Sequence, residues 1–554
     1  MKSNQVITLL LMLLFFKSTN CDSQTYSLFG DKCFGGNGYE QNLRMINFNE
    51  NLFVIGSSKS NPLTGNHTDS SCIFSSVPVD GDIWAVKFNS SFNILNDKSL
   101  GGNKEENDID KIIRTSTNNI IFSCISNSDS SCDKSEFNVN FPLANNDFWI
   151  CCIDSNGNKI WDKTLGGFGT ESSSMVIELT DGNYVVAGLS TSGIGGDKSV
   201  ANYGGYDFWV IKIDSIGNKI WDNVYGGSGQ EFSNGFNGQG SSIIATENNS
   251  FVIMCSTSSP LSGSISQPSQ GLSDIWIIKI DSVGNKIWDR RFGGNSNEYA
   301  GEIITTPDNG FMFVATTRSN ISGDVSQAPI GIGNDVWVVK LDSSGLKQWD
   351  KRYGGVDFDI ANSIKIAPDG GYWISAETNS PIGFDISDAG FGLTDYWIFK
   401  IDSAGNKLWD KRFGGPGEYH VSNFVIMNDS SIFLCGNADS GMTAVKTEFG
   451  YGASDYWVVH FKYGNISSSI NYLNGQDNEI SIFPNPAQES VNVNLNEKFG
   501  KHELLLYETS GKLLNQFNFS KSINIDVKDL PATIYIIEIV DSNQKKSYHK
   551  FLKF

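Results

Sequence analysis

The sequence predicts an all-β protein built from a repeated unit of four short strands, with a smaller β-domain after it. A three-residue motif, Asp-x-Trp, recurs at intervals of 60 to 67 residues, and self-similarity at a fixed period is the mark of a repeat architecture. After Tyr463 the period stops, which indicates a second domain. The tryptophans of the motif are Trp84, Trp149, Trp209, Trp276, Trp337, Trp397 and Trp457.

One repeat, from Asp207 to Ser259, shows why we expect four strands. Residues 207–214 are aromatic and β-branched, which is the composition of a strand. Gly217 favours a hairpin turn because it can adopt a positive φ, and residues 219–225 return as a second strand. Two further strands meet around a turn at residues 247–250. The repeat lacks the long 3.6-residue periodicity of a helix, so it predicts one antiparallel sheet.

The ends of the array predict that it closes into a ring. The first Gly-Gly pair, at Gly35, has no Asp-x-Trp strand before it, and the last motif, at Trp457, has no Gly-Gly half after it. These partial units complement each other, and pairing them removes two exposed sheet edges. We therefore predict a seven-bladed β-propeller over residues 24–465, closed by N- and C-terminal strands. A small residue should end one strand of each blade, at Gly56, Cys124, Gly188, Cys255, Ala315, Ala376 and Cys435.

Composition limits the location of the protein and its partners. Residues 1–23 have the pattern of a signal peptide, with Lys2 before the apolar run 6–16; lipidation at Cys21 is the alternative. Elsewhere no segment approaches eighteen apolar residues, so we expect no integral membrane segment. The formal net charge of −20 argues against nucleic-acid binding. We expect a monomer outside the cell.

The last 75 residues or so differ from the repeats. Residues 466–479 are predicted to form a polar linker. Residues 480–554 contain no tryptophan and alternate as strands, which we place at 489–495, 502–507, 534–540 and 547–554, so they predict a small C-terminal β-sandwich. Four motifs follow one another there: 482–486, which contains Pro484, Asn485 and Pro486; 504–512, which contains Gly511; 529–535, which ends at Tyr535; and 550–553, which begins at Lys550.

These four motifs resemble the type A sorting domain of the type IX secretion system, although Thr533 stands where that family usually has glycine. The resemblance implies a bacterium of the Bacteroidetes type and export across the outer membrane. It also implies two partners, the type IX secretion machinery and its sorting peptidase, which removes this domain at the surface. The product is then expected to be secreted or attached to the outer cell surface.

The repeats themselves resemble two known families. The segment from Asp214 to Trp221 is similar to the docking motif of quinoprotein-like propellers, although it is one residue shorter, and the order of the strands is similar to that of kelch repeats. Both resemblances imply a propeller, and neither implies an activity.

An acidic residue follows the first glycine of the Gly-Gly pair by five positions in six of the repeats. A ring of such carboxylates is a candidate Ca²⁺ or cation site, because calcium prefers carboxylate oxygens. The alternative is that each acid caps a turn or pairs with a lysine, and recurrence in every repeat favours that alternative. No other cofactor is indicated. The acids are Glu40, Glu106, Glu171, Glu231, Glu298 and Asp359.

Residues that depart from the repeat are the candidates for ligand binding. They are Trp373, Tyr419, His420 and His460. The chain lacks the Gly-x-Ser-x-Gly and His-Glu-x-x-His signatures of hydrolases and metalloproteases. The sequence therefore favours an exported recognition module for a glycan or a protein. The alternative is a polysaccharide-degrading enzyme, a lyase or glycoside hydrolase, with its site in the propeller funnel.

Overall fold

The structure is a computed structural model. It describes residues 26–61, 63–69, 81–139, 145–232, 240–439, 441–442, 445–463, 480–483, 489–495, 502–508, 512–531, 534–540 and 546–553. The predicted signal peptide, residues 1–23, and the predicted linker, residues 466–479, lie outside these ranges. The chain divides into two compact units, with the boundary between Tyr463 and Gly464.

The protein is all-β. Within the described ranges the only helical element is a single 3-10 turn, Glu247–Asn249. The strands of the first unit are β1 Tyr26–Phe34, β2 Glu40–Phe48, β3 Asn51–Ser58, β4 Asp82–Asn89, β5 Ile94–Leu100, β6 Glu106–Arg114, β7 Ile120–Ser126, β8 Asp147–Ile153, β9 Lys159–Leu165, β10 Glu171–Glu178, β11 Tyr184–Ser190, β12 Asp207–Ile213, β13 Lys219–Tyr225, β14 Glu231–Phe232, β15 Ser242–Ala245, β16 Phe251–Thr257, β17 Asp274–Ile280, β18 Lys286–Phe292, β19 Glu298–Thr305, β20 Phe311–Thr317, β21 Asp335–Leu341, β22 Lys347–Tyr353, β23 Asp359–Ile366, β24 Tyr372–Thr378, β25 Asp395–Ile401, β26 Lys407–Phe413, β27 Tyr419–Ile426, β28 Ser431–Asp439 and β29 Ser454–Tyr463.

These strands pair in sequence order as antiparallel groups, which we call repeats 1 to 7. Repeats 1 to 6 are β2–β5, β6–β9, β10–β13, β14–β18, β19–β22 and β23–β26, and repeat 7 is β27–β29 with β1. Repeats 2 and 3 are joined into one eight-stranded sheet by a single parallel pairing between Ser174 and Ile109. In repeat 4, β14 and β15 both pair with β16. The prediction that residues 207–259 form one sheet is therefore wrong: β12 and β13 complete repeat 3, and β14 to β16 begin repeat 4. The chain leaves one sheet at the Gly-Gly pair, so each sheet begins after that pair and not at the Asp-x-Trp strand.

The two ends of the first unit lie in the same sheet, as the partial repeats predicted. β1 pairs antiparallel with β29, and Cys33 lies opposite Trp457. The indole Nε1 of Trp457 donates a hydrogen bond to Asp31 at 2.8 Å. The other six motif tryptophans donate in the same way to an aspartate on the next strand: Asp97, Asp162, Asp222, Asp289, Asp350 and Asp410. The closing pair therefore uses the bond that every other repeat uses, across 426 positions of sequence.

One strand of each repeat contacts the corresponding strand of the next; it is the first strand of the repeat except in repeat 4, where it is β15. β2, β6, β10, β15, β19, β23 and β27 follow one another in this way, and β27 contacts β2 again. We call these the inner strands. All seven motif tryptophans are fully buried between the sheets. The prediction that a small residue ends one strand of each repeat is wrong, because every one of these strands continues for at least two residues beyond it. In six repeats the small residue instead lies opposite the motif tryptophan, and in the seventh Gly436, not Cys435, lies opposite Trp457.

The second unit contains two sheets. Its strands are β30 Ile480–Phe483, β31 Ser490–Leu495, β32 His502–Glu508, β33 Leu513–Phe519, β34 Ser522–Asp526, β35 Ile534–Val540 and β36 Lys546–Leu552. The sheet orders are β30-β31-β34 and β33-β32-β35-β36. One hydrophobic cluster joins the two sheets, with Val491 and Val493 from the first and Leu504 and Ile537 from the second. In the part of the chain that the structure describes, no helix is long and apolar enough to cross a membrane.

Candidate functional site

A cavity of about 930 Å³ lies where the inner strands meet. Each of the seven repeats contributes residues to its wall. Because alternate residues of a strand point to the same side, two layers of side chains face the space. The first layer, called the polar layer, is Arg44, Lys111, Met175, Ser242, Glu302, Ser363 and Asn423. The second layer, two residues further along each strand, is Ile46, Ile113, Ile177, Ile244, Ile304, Lys365 and Val425.

The two layers differ in how far they obey the repeat. The second layer is aliphatic in six repeats, and only Lys365 departs from it. The polar layer has seven positions and no consensus among them. A position that is free to vary within a strict repeat is not fixed by packing. The polar layer is therefore the part of the cavity wall in which the repeats differ most.

Glu302 is the acid of the polar layer, and its charge is well satisfied. Its carboxylate accepts hydrogen bonds from the Ser363 hydroxyl and from the backbone N–H of Ile364 at 3.0 Å, and it lies 3.4 Å from Lys365 Nζ. Burial alone would raise the pKa of Glu302, but Lys365, Ser363 and Lys111 outweigh burial and lower it. Glu302 is thus an anion held by the wall around it.

Arg44 and Lys111 are the cations of the polar layer, on neighbouring strands. The Arg44 guanidinium donates from Nε to the carbonyl oxygen of Asp110 at 2.7 Å and from Nη1 to that of Leu43 at 3.1 Å. Lys111 Nζ donates to the carbonyl oxygen of Ile243. Burial lowers the pKa of Lys111 to about 8, so the amine is still largely charged at neutral pH. Both side chains are anchored by main-chain oxygens.

The six repeated acids lie elsewhere, at the start of their strands, and each is fully buried. Each accepts a hydrogen bond from the N–H of the second glycine of the preceding Gly-Gly pair and from a serine or threonine hydroxyl. The glycine distances are 3.3 Å for Glu40, 2.9 Å for Glu106, 3.4 Å for Glu171, 3.0 Å for Glu231, 2.9 Å for Glu298 and 2.6 Å for Asp359. The acids thus hold the connection between one repeat and the next.

These acids are not gathered into one cluster. In the described ranges, no three or more His, Cys, Asp or Glu side chains are grouped so that they could hold a metal ion. Calcium binding by the carboxylate ring stays a prediction. Burial raises the pKa of Asp359 to about 7 and also raises the pKa of Glu40, Glu106, Glu231 and Glu298.

Each repeated acid meets the motif aspartate of the preceding repeat around the first glycine of the pair. A Cβ added to Gly35 would lie 1.8 Å from Asp455 Oδ1 and 2.7 Å from Glu40 Oε2, so no other residue fits there. Gly101, Gly226, Gly293 and Gly354 are enclosed by two acids in the same way. We call such a place a junction. The recurring acids and glycines are therefore one structural device that links adjacent sheets.

Three of the four predicted ligand-binding residues lie inside the protein. Trp373 is 3% exposed and packs against Trp409 and Tyr463, with ring centroids 5.6 and 5.2 Å away. Tyr419 is fully buried at the junction of repeats 6 and 7. His460 stacks on Phe433 with centroids 3.7 Å apart, and burial lowers its pKa to about 4.

His420 is the exception among the four. Its side chain is 36% exposed, and Nδ1 lies 3.0 Å from Oε2 of the buried Glu377, while Nε2 lies 3.7 Å from Glu418. Burial opposes the charged imidazole, but the hydrogen bond with Glu377 and the two negative charges outweigh burial and raise the pKa of His420. The structure does not place His420 among the residues that line the cavity.

Sequence reasoning missed Arg44, Lys111, Glu302 and Lys365. A signal was present in the spacing of these residues. Arg44 and Glu302 stand four residues after the aligned acid of their repeat, and Lys111 stands five after it because repeat 2 has one inserted residue. Lys365 stands six residues after its acid, where the other repeats have an aliphatic residue. The rule that selected His420 selects these residues too, once the inner strand is known to face a cavity.

Comparison with known proteins identifies the C-terminal unit. Residues 481–553 match the family described as the secretion system C-terminal sorting domain, so the sorting domain that the four motifs predicted is confirmed. The protein is therefore addressed by type IX secretion to the exterior and to attachment at the cell surface. Tyr535 of this domain is buried, and its hydroxyl donates to the carbonyl oxygen of Pro531 at 2.9 Å. Lys550 pairs with Ile536 across β35 and β36, while Pro484, Asn485, Pro486 and Gly511 lie outside the described residues.

The other similarities of the chain to known proteins are distant. The chain is 22% identical over 265 residues to the regulatory protein FlaEY of Caulobacter vibrioides, in an alignment that covers 45% of this chain but only 28% of FlaEY. A fungal alcohol oxidase of the AA5 family, in complex with copper, aligns with a TM-score of 0.44 at 11% identity over 96% of this chain and 99% of its own. The α-L-arabinofuranosidase of Fusarium graminearum, in complex with an iminosugar inhibitor, aligns with a TM-score of 0.33 at 10% identity over 63% of this chain and 91% of its own. At these values neither structure assigns an activity to this chain.

Proposed function

We propose that the first unit is a seven-bladed β-propeller, exported with a β-sandwich sorting domain, and that it binds an extracellular glycan or protein in its central cavity. The observation that carries this proposal is the contrast between the two layers of the cavity. Tryptophans, glycines, junction acids and the second layer follow a consensus, whereas the polar layer has six different residue types in seven repeats. Pockets that bind ligands combine an apolar wall with a few convergent polar groups, and this cavity has both.

The seven pairing groups support the propeller assignment. Each contributes one inner strand to the wall, and the pairing of β1 with β29 leaves no free end in the ring. The two sheets of the C-terminal unit around one hydrophobic cluster support the sandwich assignment.

A blocking variant tests whether the cavity is the binding site. The exported protein, purified after processing, is applied to glycan arrays and to affinity gels of algal and plant polysaccharides. Ile304→Trp places a large ring in the cavity wall, and Leu408→Trp, on an exposed part of β26, is the matched control. We expect Ile304→Trp to abolish retention and Leu408→Trp to keep it. Equal retention by both variants would place the ligand outside the cavity.

One observation favours catalysis as a second candidate function. The His420–Glu377 pair combines a histidine of raised pKa with a buried carboxylate, and Glu418 adds a second carboxylate beside it. Such a set can move protons in a polysaccharide lyase or hydrolase. New unsaturated or reducing ends after incubation with polysaccharides, lost in His420→Gln, would establish the enzyme in place of the binding module.

A further inference from the structure

We propose that Arg44 and Lys111 form a subsite for an oxyanion, a carboxylate or sulfate group carried by the ligand. This inference rests on the proposed function, because it takes the cavity as the ligand site. It adds the chemical class of the group that is recognised there.

The donors of the two side chains are only partly used. In the described part of the chain, Arg44 makes two hydrogen bonds, both to main-chain carbonyl oxygens, although a guanidinium has five N–H donors. The nearest carboxylate oxygen, Oδ1 of Asp110, lies 3.9 Å from Nη2, which is beyond hydrogen-bond distance. Lys111 Nζ has three donors and makes one hydrogen bond, to the Ile243 carbonyl oxygen. Each cation therefore keeps N–H groups for a ligand.

The acids of the cavity offset these cations only in part. Glu302 interacts electrostatically with Lys111, but its hydrogen bonds and its ion pair are with Ser363, Ile364 and Lys365. Asp110 accepts from the Ser173 hydroxyl, and burial raises its pKa to about 7, so a large part of it is neutral at neutral pH. Positive charge remains in excess, because the cations of the lining are Arg44, Lys111, Arg114 and Lys365 and its full negative charges are Glu178 and Glu302.

The rest of the protein makes this excess of positive charge notable. The chain carries a formal net charge of −20, and charged groups inside a low-dielectric cavity act more strongly than those on the surface. The polar layer thus carries excess positive charge on a chain whose net charge is negative. Anchoring of both cations by main-chain oxygens also holds them in place before the ligand arrives, which reduces the entropic cost of binding.

The geometry fits an oxyanion better than a neutral sugar alone. A guanidinium offers parallel N–H groups to two oxygens of one carboxylate or sulfate, and a neighbouring ammonium supplies a second charge. The second layer lies two residues further along each strand and includes Ile46 and Ile304. Its aliphatic side chains can hold the apolar face of the group that carries the anion.

The test uses isothermal titration calorimetry on the exported protein with three probes: sodium sulfate, glucuronate and glucose. We expect sulfate and glucuronate to bind and glucose not to bind under the same conditions. A preference for glucuronate over sulfate would identify a carboxylate as the natural group, and the reverse would identify a sulfate. Arg44→Met and Lys111→Met should each lower the affinity at least tenfold. Lys351→Met, which removes a half-buried lysine on β22 that does not line the cavity, should leave it unchanged.

Two further measurements keep the result decisive. Lys111→Arg preserves the charge and should retain most of the binding, which separates the role of the charge from a folding defect. Sulfate should also raise the Tm of the wild type and of Lys351→Met but not that of Arg44→Met. Equal affinity of the wild type and both Met variants, or no binding of either anion, would overturn the inference.

The proposed function can fail independently of this subsite. If Ile304→Trp abolishes capture on the glycan array while neither anion binds the wild type, the cavity is the ligand site and the oxyanion subsite is wrong. If both anions bind and depend on Arg44, but Ile304→Trp keeps full array binding, the subsite exists and the larger ligand lies elsewhere.

Discussion

Two kinds of junction link the repeats, and they differ in the cation beside the buried acids. In the arginine junctions, Arg291, Arg352 and Arg412 contact the motif aspartates Asp274, Asp335 and Asp395 at 2.5, 3.1 and 2.8 Å. In the lysine junctions, Lys134, Lys198 and Lys446 act electrostatically on Asp147, Asp207 and Asp455. Their ammonium groups donate to oxygens of the loops and neighbouring strands, including those of Thr164, Ser190 and Glu448.

One motif aspartate from each kind of junction illustrates the difference. Burial raises the pKa of Asp335 to about 6, with Arg352 opposing the rise, whereas burial and the charge of Glu40 raise the pKa of Asp455 to about 7, with Lys446 opposing it. Arg352 acts on Asp335 through a direct contact, and Lys446 acts on Asp455 from the loop. The repeat therefore fixes the position of the carboxyl group but not its charge.

The largest effect is expected from breaking an arginine junction. Both side chains of the Arg352–Asp335 pair are about 1% exposed, and removing one partner of a buried pair typically costs ~3–5 kcal/mol. We expect Arg352→Met to lower the free energy of unfolding by that amount in a denaturant titration. Lys198→Met, at a lysine junction, loses hydrogen bonds but no direct ion pair, and should cost about 1 kcal/mol.

Two controls accompany this comparison. Lys351→Met changes the neighbouring half-buried residue, which donates one surface hydrogen bond to Asn406, and should have little effect. The double variant Arg352→Met with Asp335→Asn should recover much of the loss because no buried charge remains unpaired. A loss below about 1 kcal/mol for Arg352→Met would show that the junctions do not depend on their arginines.

A smaller effect should appear in the pH dependence of stability. The pKa of Asp455 is about 7 in the folded protein and 3.8 as its ordinary value. Between these pH values the folded state holds a proton that the unfolded state has released, so stability falls as pH rises from about 4 to about 7. One such proton contributes at most about 1.4 kcal/mol per pH unit. Asp455→Asn should flatten the plot of Tm against pH in this range.

The comparison between junctions sharpens this measurement. The corresponding window for Asp335 ends near pH 6 because its pKa is lower. Asp335 should therefore add little to the wild-type slope between pH 6 and 7. Asp455, Asp359, Glu231 and Asp110, each with a pKa of about 7, should all contribute to that slope, and Asp455→Asn should remove one part of it. A slope that is unchanged in Asp455→Asn would contradict the assignment of that proton.

Much of the fold could be predicted because the same buried residues recur at the same positions in each repeat. The second strand of the repeat that we chose, Lys219–Tyr225, has the predicted bounds, and the first ends at Ile213 instead of residue 214. In the C-terminal unit, Ile534–Val540 was predicted correctly. β33 and β34 were missed, since several positions of β33 are polar and exposed and give no apolar alternation.

The candidate site could be predicted only in part, because its residues become neighbours only when the ring forms. Arg44 and Lys365 are separated by most of the chain and share no motif, yet both line one cavity. The departures that stood out in the sequence were aromatic and histidine residues. Trp373 and His460 are buried in the core. Trp373 packs against Tyr463, and His460 stacks on Phe433.

The smallest effect is expected at the one junction that has lost its acid. Tyr419 replaces the repeated carboxylate beside Arg412 and Asp395, and its hydroxyl has no hydrogen-bond partner among the described residues. Since a buried unpartnered hydroxyl contributes no favourable interaction, Tyr419→Phe should change the free energy of unfolding by less than about 0.5 kcal/mol. Glu298→Leu, at a junction that keeps the repeated carboxylate, would instead leave the Gly294 N–H and the Thr317 hydroxyl without their acceptor. This loss should cost ~1–3 kcal/mol. Equal losses in the two variants, measured by denaturant unfolding, would mean that the hydrogen bonds of the carboxylate do not stabilise the junction.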